Sequence, residues 1–227
     1  MGRALSAALA SAGVAVRGPL GRGDRCEHDP VVLLCVPDRE IAAAAVVLAP
    51  GRLVGHCSGA TTLAPLAPHE AFSVHPLMTV TGDGDADFSG AGCAIAGSTP
   101  RALDVARAIA ERLRMRPVQV RDADRVLYHA AAAMASNFLT TLEQSAAGLA
   151  EQVGVPREML LPLMQAALDR WADEGAHSLT GPISRGDMET VARQRAAVAE
   201  RAPELLPLWD AFVERTTALA RAVRETP

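Results

Sequence analysis

The sequence predicts an α/β domain with a parallel sheet, followed by an all-helical domain. Residues 14–120 alternate short runs of β-branched residues with helical stretches, which is typical of a parallel sheet covered by helices on both faces. After Asp122, apolar residues recur only at helical spacing. We therefore expect two domains, one over residues 1–121 and a helical one over residues 122–227.

The first predicted element is a helix from Arg3 to Ala12, which begins directly after Gly2 and ends at Gly13. The residues that follow, Val14–Val16, are predicted to form a strand. A helix followed by a strand is the second half of a βαβ nucleotide-binding unit. The first strand and the first two glycines of its G-x-G-x-x-G turn are therefore expected to be missing.

Gly2 admits two interpretations. It is either the third glycine of that turn, where backbone N–H groups and the helix dipole hold a pyrophosphate, or a small residue beside the initiator methionine. Loss of the first strand would leave Val14–Val16 and Val31–Val36 each with an unpaired edge. We expect either compensation by another segment or a weakly stable sheet.

The later strands are predicted from short apolar runs, at Val31–Val36, Leu53–Cys57, Phe72–His75, Gly92–Ala96 and Val118–Val120. Pro37 and Asp38 end the clearest of them, and Asp38 is expected to cap the helix that follows at residues 39–48. Ligands of open α/β sheets bind at the carboxyl ends of the strands. Residues 36–38 are therefore expected to border a site.

The helical domain is predicted to open with a helix of about 30 residues, over residues 124–153, well above the usual length. Its apolar stripe consists of Leu127, Ala131, Met134, Phe138, Leu142 and Leu149. Three further helices are expected over residues 156–173, 187–201 and 203–224.

Composition excludes several classes of protein. The formal net charge is −4 and no basic run occurs, so nucleic-acid binding is not expected. No apolar run reaches the roughly 20 residues of a membrane span and no signal peptide is recognisable, so we expect a cytoplasmic protein. The four cysteines form no C-x-x-C pair and are predicted to be buried or incidental thiols. Asp83, Asp85 and Asp87 lack the spacing of a calcium loop, so no metal site is predicted.

Two polar residues, Ser58 and His75, lie at or just past the ends of predicted strands. The carboxyl ends of parallel strands meet at one edge of a sheet, so these side chains could lie close together. A neutral imidazole can exchange a proton with a carbonyl or hydroxyl oxygen near neutral pH. The alternative is a structural histidine that bonds to the backbone.

The long helix carries a second polar group. His129 and Ser136 are seven residues apart and share a face in α-helical geometry, with Asn137 about 80° away. Residues 130–133 are alanines, which leave room for a ligand held by His129 at one end and by Ser136 or Asn137 at the other. The alternative is an alanine-rich helix contact with satisfied polar groups.

Arg185 lies in a predicted loop over residues 180–187, in which Asp187 is expected to cap the next helix. Its guanidinium could grip a substrate carboxylate or could hold its own loop by bonding to carbonyls. Serine hydrolase chemistry is not expected, because the G-x-S-x-G turn is absent around Ser58.

Five motifs together resemble a known family: VLLCVPD at residues 32–38, HCSGA at 56–60, SVHPL at 73–77, YHAA with ASN at 128–131 and 135–137, and TGPISRGD at 180–187. The chain is similar, over nearly its full length, to Rossmann-like proteins of the 6-phosphogluconate dehydrogenase-like superfamily that carry a C-terminal helical domain of unknown function. The resemblance implies an NAD(P)-binding domain, a helical domain that dimerises, and an active site in the cleft between them. The pair His75-Pro76 resembles the histidine-proline of prephenate dehydrogenases, whose histidine contacts the reacting hydroxyl.

The sequence departs from the related β-hydroxyacid dehydrogenases at one position. Their lysine, one turn before the helix asparagine, has no counterpart here, because Ala133 precedes Asn137. If the protein is catalytic, His129 or His75 must replace that acid.

The cofactor is expected to be NADP, with NAD possible. The segment after the second predicted strand carries Arg17 and Arg22 and no carboxylate until Asp24, which favours a 2′-phosphate over a free 2′-hydroxyl. The expected cofactor-binding residues are Gly2, Arg17, Arg22, Val36, Pro37 and Ser58.

We expect an NADP-dependent oxidoreductase that reduces a small carboxylate-bearing carbonyl or imine, with a ketopantoate-like 2-oxo acid as the most specific candidate. His75 or His129 would donate the proton, while Ser58 and Asn137 would orient the substrate. Ser136, Asn137 and Arg185 are the expected substrate-binding residues, and a homodimer through the helical domain is expected. The alternative is a non-catalytic dimer that binds a nucleotide or metabolite.

Overall fold

In the computed structural model, residues 1–21, 23–24, 26–80 and 86–225 are described. The chain divides into two compact units, Met1–Phe138 and Leu139–Pro227. The sequence places the domain boundary earlier, after residue 121, and that boundary stays a prediction.

The first unit contains a five-stranded sheet in the order β1-β2-β3-β4-β5. Its strands are β1 (Val31–Leu34), β2 (Leu53–His56), β3 (Glu70–Leu77), β4 (Gly92–Gly97) and β5 (Arg116–Gln119). Its helices are α1 (Gly2–Ser11), α2 (Ile41–Val46), α3 (Pro100–Arg112) and α4 (Arg125–Ala133).

The sheet is mostly parallel, which confirms the predicted fold class. The exception is the antiparallel pair of β3 and β4, in which His75 lies opposite Ala94. Parallel neighbours need a long crossover, usually a helix, and the described residues between these two strands form none. An antiparallel pair needs no such crossover.

Both faces of the sheet are buried. One face packs against α1 and α3 through a cluster that includes Leu5, Phe72 and Ile95. The other face packs through a cluster that includes Ile41 and Val54. The core therefore fixes both faces of β2 and β3, the two strands whose carboxyl ends carry the candidate site.

Two local predictions are wrong. Val14–Val16 does not form a strand, because no described strand lies beside it to supply a hydrogen-bonded ladder. Asp38 does not cap a helix. It lies in a 3-10 turn, Asp38–Glu40, whose cap position is Pro37, and its carboxylate accepts a hydrogen bond from Ser58 instead.

The predicted helix of about 30 residues is interrupted. After α4, residues Met134–Phe138 form a π-helix, which leads into α5 (Leu139–Glu151). The hydrogen bonds of a π-helix join residues i and i+5 rather than residues i and i+4. The α-helical alignment predicted for His129 and Ser136 therefore does not apply across this segment.

The second unit is helical in its described part. After α5 come α6 (Leu161–Glu174), α7 (Pro182–Arg185), α8 (Met188–Arg201) and α9 (Leu206–Glu225). The predicted cap of α8 is confirmed, since the Asp187 carboxylate accepts from the Thr190 backbone N–H at 3.0 Å. The predicted loop over residues 180–187 instead contains the short helix α7. No described helix combines the length and the hydropathy that a bilayer crossing requires.

Candidate active site

The candidate site lies at the carboxyl end of β3, where two rings of α4 meet His75. The Nδ1 atom of His75 lies 2.7 Å from the Tyr128 hydroxyl, and the two rings meet edge-on with centroids 5.5 Å apart. The His129 ring lies 6.0 Å from the His75 ring, again edge-on. The structure thus brings together two of the predicted catalytic residues and adds Tyr128.

Gly59 is what allows the two imidazoles to converge. A Cβ atom at this position would lie 2.7 Å from Cδ2 of His129 and 2.8 Å from Cε1 of His75. Real Cβ contacts are not this short, so a side chain here would force one or both rings to shift, and the His75 ring is held by its hydrogen bond to Tyr128. Only glycine therefore fits between the histidines, and the HCSGA motif contains this residue without indicating its role.

The protonation states of His75 and Tyr128 follow from burial. Desolvation, followed by the charges of His129 and Arg125, lowers the pKa of His75 to about 4. Desolvation also raises the pKa of Tyr128 to about 12. At neutral pH both groups are therefore neutral, and one proton lies in the hydrogen bond between them.

This shift has a consequence for stability. The folded-state pKa of His75 lies below the ordinary histidine value of 6.5, so between these values the unfolded chain binds the extra proton. The free energy of unfolding is therefore expected to fall as the pH is lowered from 6.5 towards 4. After allowance for partial exposure of the ring, His75 contributes on the order of 2 kcal/mol to this loss.

Chemical unfolding at about pH 7.5 and about pH 4.5 tests this expectation. Wild type should lose more stability on acidification than His75→Asn. His56, whose pKa is also lowered by desolvation, is present in both proteins and cancels in the comparison. An equal loss in both proteins would contradict the expected shift.

Ser58 is buried and its hydroxyl is engaged. The Oγ atom donates to the Asp38 carboxylate at 2.7 Å and accepts from the Thr61 N–H at 2.9 Å. The Ser58 N–H donates to Nδ1 of His56, so Nε2 of His56 carries the proton and donates to the Thr62 carbonyl at 3.1 Å. These bonds fix the turn that leads into Gly59.

Arg125, at the start of α4, is fully buried and hydrogen-bonds to three segments around the site. Its guanidinium donates to the Ser58 carbonyl at 3.3 Å, to the Ser73 hydroxyl and to the Asp122 carboxylate at 2.9 Å. It therefore links the turn after β2, strand β3 and the segment before α4. Sequence reasoning missed Arg125. The one signal in the sequence is that Arg125 follows Asp122 by three residues at the start of a helix, a spacing at which the two side chains can form an ion pair.

Three of the predicted cofactor residues, Gly2, Val36 and Pro37, lie around the carboxyl end of β1. A Cβ atom at Gly2 would lie 3.1 Å from Cβ of Cys35, so α1 begins in close contact with the residue after β1. Val36 and Pro37 follow directly. No acidic residue occupies the first turn of α1, so its positive helix end is not neutralised there.

Arg17 lies in a different setting from the one expected. Its guanidinium bonds to the carboxylates of Asp24 and Asp29, and it lowers the pKa of Asp29 through its hydrogen bonds. A 2′-phosphate would have to share Arg17 with these two carboxylates. Arg22 lies outside the described residues.

The remaining predicted residues lie on neither β3 nor α4. Ser136 and Asn137 are exposed on the π-helical segment, and Arg185 is exposed on α7 of the second unit. In the described residues no group of acidic, histidine or cysteine side chains could hold a metal ion. Asp83 and Asp85, from the metal alternative, lie outside the described residues.

A groove of about 680 Å³ borders the site. Its lining residues come from β5, from the segment that follows β5 and from α4. They are Gln119, Val120, Arg121, Asp124, Leu127, Tyr128 and Ala131. It therefore offers a space for a small molecule beside the Tyr128 ring.

Solved structures share this fold. A Bacteroides fragilis protein assigned as an NADP oxidoreductase matches with a TM-score of 0.78 at 18% identity, covering 95% of this chain and 93% of that chain. A Thermotoga maritima protein matches with a TM-score of 0.77 at 27% identity, covering 87% of this chain and 81% of that one. The imine reductase of Streptomyces aurantiacus matches with a TM-score of 0.62 at 12% identity, covering 99% and 96%.

The fold is therefore that of Rossmann-like proteins with a following helical region, as the sequence resemblance implied. The model of the family described as "Domain of unknown function (DUF2520)" matches residues 91–216, more than half of the chain. The chain belongs to the DUF2520 family. No curated protein matches its sequence.

Proposed function

We propose that this protein is an NADP-dependent oxidoreductase that reduces the carbonyl or imine group of a small, carboxylate-bearing substrate such as a ketopantoate-like 2-oxo acid. The observation that carries the proposal is the neutral His75 bonded to Tyr128, beside His129 and Gly59. The reductases that share the fold support the reaction class. They are too distant to name the substrate.

The residues present fit a nicotinamide dinucleotide. Gly2 lets α1 begin against the end of β1, and the first-turn N–H groups of α1 are suited to a pyrophosphate. Val36, Pro37 and Ser58 are proposed to line the bound cofactor at the ends of β1 and β2. When bound, NADPH supplies the hydride.

The proton is proposed to come from His75. With Tyr128 donating to Nδ1, the Nε2 atom of His75 carries a proton and lies against the Gly59 backbone. As the Nε2 proton passes to the oxygen or nitrogen of the substrate, the Tyr128 proton moves to Nδ1. Return of that proton to the tyrosine oxygen and uptake of one proton from water at Nε2 restore the starting state. The imidazole is neutral before and after this transfer.

The substrate is proposed to lie along the groove beside Tyr128. Ser136 and Asn137 are retained as candidate contacts, and Arg185 as the candidate anchor for its carboxylate. A homodimer is also proposed. It is supported by large apolar side chains on α4 and the π-helical segment that stay exposed, with Leu127 at 77% and Phe138 at 63%.

Cofactor titration combined with a turnover assay tests the proposed function. NADPH binding is measured by fluorescence, and NADPH oxidation is followed with a panel of 2-oxo acids and cyclic imines. We expect binding, and oxidation with at least one substrate that is slowed in His75→Asn. NADPH binding without oxidation of any substrate would instead support the non-catalytic dinucleotide-binding alternative.

Arg17 provides a test of cofactor choice. Arg17→Ala is expected to weaken NADPH binding about tenfold and to leave NADH binding unchanged, because only NADPH carries the 2′-phosphate. Asp29→Asn is the complementary variant. It removes a carboxylate that competes for Arg17 and should strengthen NADPH binding. Equal effects on both cofactors would show that Arg17 does not contact the phosphate.

A further inference from the structure

Two of the four cysteines are in contact. Cys35 follows β1 and Cys57 follows β2, and their sulfur atoms lie 3.6 Å apart. The two strands are parallel neighbours with Leu34 opposite His56, so the cysteines occupy the next paired position. Neighbouring strands are about 4.8 Å apart, within the Cα separation of roughly 4.4–6.8 Å that disulfides span.

The other two cysteines lie beyond the reach of this pair. Cys26 packs in the cluster on the opposite face of the sheet from Cys35 and Cys57. Cys93 is buried in β4, and β3 separates that strand from β2, which places its Cα roughly 10 Å from that of Cys57. That separation exceeds the reach of a disulfide, about 7 Å.

We propose that Cys35 and Cys57 form a site of reversible oxidation, at which a peroxide converts the two thiols into an intramolecular disulfide. Both residues are partly exposed, and Cys35 is the one at which a small oxidant is proposed to react. The disulfide would join the carboxyl ends of β1 and β2. This role differs from the buried or incidental thiols that the sequence predicts.

The two thiols have different parts in the reaction. The hydrogen bond from Cys57 lowers the pKa of Cys35, and the same interaction together with burial raises that of Cys57. The Cys35 thiolate attacks the peroxide, the O–O bond breaks, and Cys35 sulfenic acid and hydroxide form. The Cys57 sulfur then attacks the Cys35 sulfur. The S–S bond forms, the S–O bond breaks, and the Cys57 proton leaves with the departing hydroxide as water.

Hydrogen peroxide is thereby reduced to two molecules of water, and the two thiols lose two electrons to the disulfide. The close packing of Gly2 on Cys35 leaves little space for a bulky mixed disulfide. Cys57 is therefore the favoured partner for oxidised Cys35, and a dithiol reductant should restore both thiols.

Peptide mapping of the native full-length chain tests the proposal. The protein is treated with hydrogen peroxide, quenched in acid, alkylated, and cleaved by a glutamyl endopeptidase. Cleavage after Glu27, Glu40 and Glu70 places each cysteine on its own peptide. We expect a linked pair of residues 28–40 and 41–70, which dithiothreitol separates, and we expect Cys26 and Cys93 to stay alkylated.

Two variants sharpen the result. In Cys57→Ser, sulfenic acid should persist at Cys35 and be trapped by dimedone, whereas Cys26→Ser should form the same linked pair as wild type. The proposal is overturned if wild type shows no linked pair while Cys35 is oxidised to sulfinic acid. It is also overturned if the native chain links Cys26 or Cys93 instead.

Discussion

Replacement of His75 by asparagine is expected to lower kcat for NADPH oxidation by a factor of about 10² to 10⁴, the usual contribution of a positioned proton donor. Asparagine keeps a polar side chain but cannot pass a proton from one nitrogen to another. The Kd for NADPH should stay unchanged, because His75 contacts Tyr128 and His129 rather than the residues proposed to hold the cofactor. The measurement is steady-state turnover together with a binding titration on the same preparation.

Tyr128→Phe is the matched control for the proton path. It keeps the ring against His75 but removes the hydroxyl that bonds to Nδ1, so it should lower kcat by a smaller factor than His75→Asn. If His75→Asn retains wild-type kcat while His129→Ala loses it, His129 is the donor and the assignment of His75 is wrong.

Replacement of Arg125 by methionine is expected to lower the free energy of unfolding of the first unit by about 3 kcal/mol. Methionine matches the aliphatic part of the arginine side chain but has no donors, so the Ser58 carbonyl and the Ser73 hydroxyl lose their partner inside the protein. A buried polar group without a partner costs about 1–3 kcal/mol. The change should appear in chemical unfolding and as faster hydrogen exchange at residues 58–63.

Arg121→Met is the control for this substitution. It removes the same charge nearby, but Arg121 is exposed and bonds to the exposed Asp124, so its loss should cost less than about 1 kcal/mol. Equal destabilisation by the two variants would mean that Arg125 acts through its charge alone rather than through its buried hydrogen bonds.

The sequence predicts the strands β1 to β5 and the main helices because apolar periodicity and turn residues carry that information. It also predicts that Ser58 and His75 lie at strand ends. Strand direction is not encoded in that pattern, so the sequence does not predict the antiparallel pairing of β3 with β4. The wrong prediction of a strand at Val14–Val16 has a related cause, because β-propensity is local and does not tell whether a neighbouring strand is present.

The contacts of the candidate site were harder to predict. Residues 130–133 are alanines and continue the helical pattern. The sequence therefore predicts an uninterrupted α-helix and gives no sign of the π-helix that follows. Tyr128 belongs to the YHAA motif, but no local pattern shows that its hydroxyl bonds to His75. Two of the partners of Arg125, Ser58 and Ser73, lie more than 50 positions earlier in the chain. Such long-range pairs depend on the packed fold rather than on any local pattern.

Transfer of deuterium tests most directly whether the protein is a reductase. NADPH labelled at C4, as each of the two epimers in turn, is incubated with the protein and the panel of 2-oxo acids and cyclic imines. We expect mass spectrometry to find a reduced product that carries one deuterium from one epimer only. If NADPH binds and no labelled product forms with any substrate, the protein binds dinucleotides without reducing these substrates, which contradicts the proposed function.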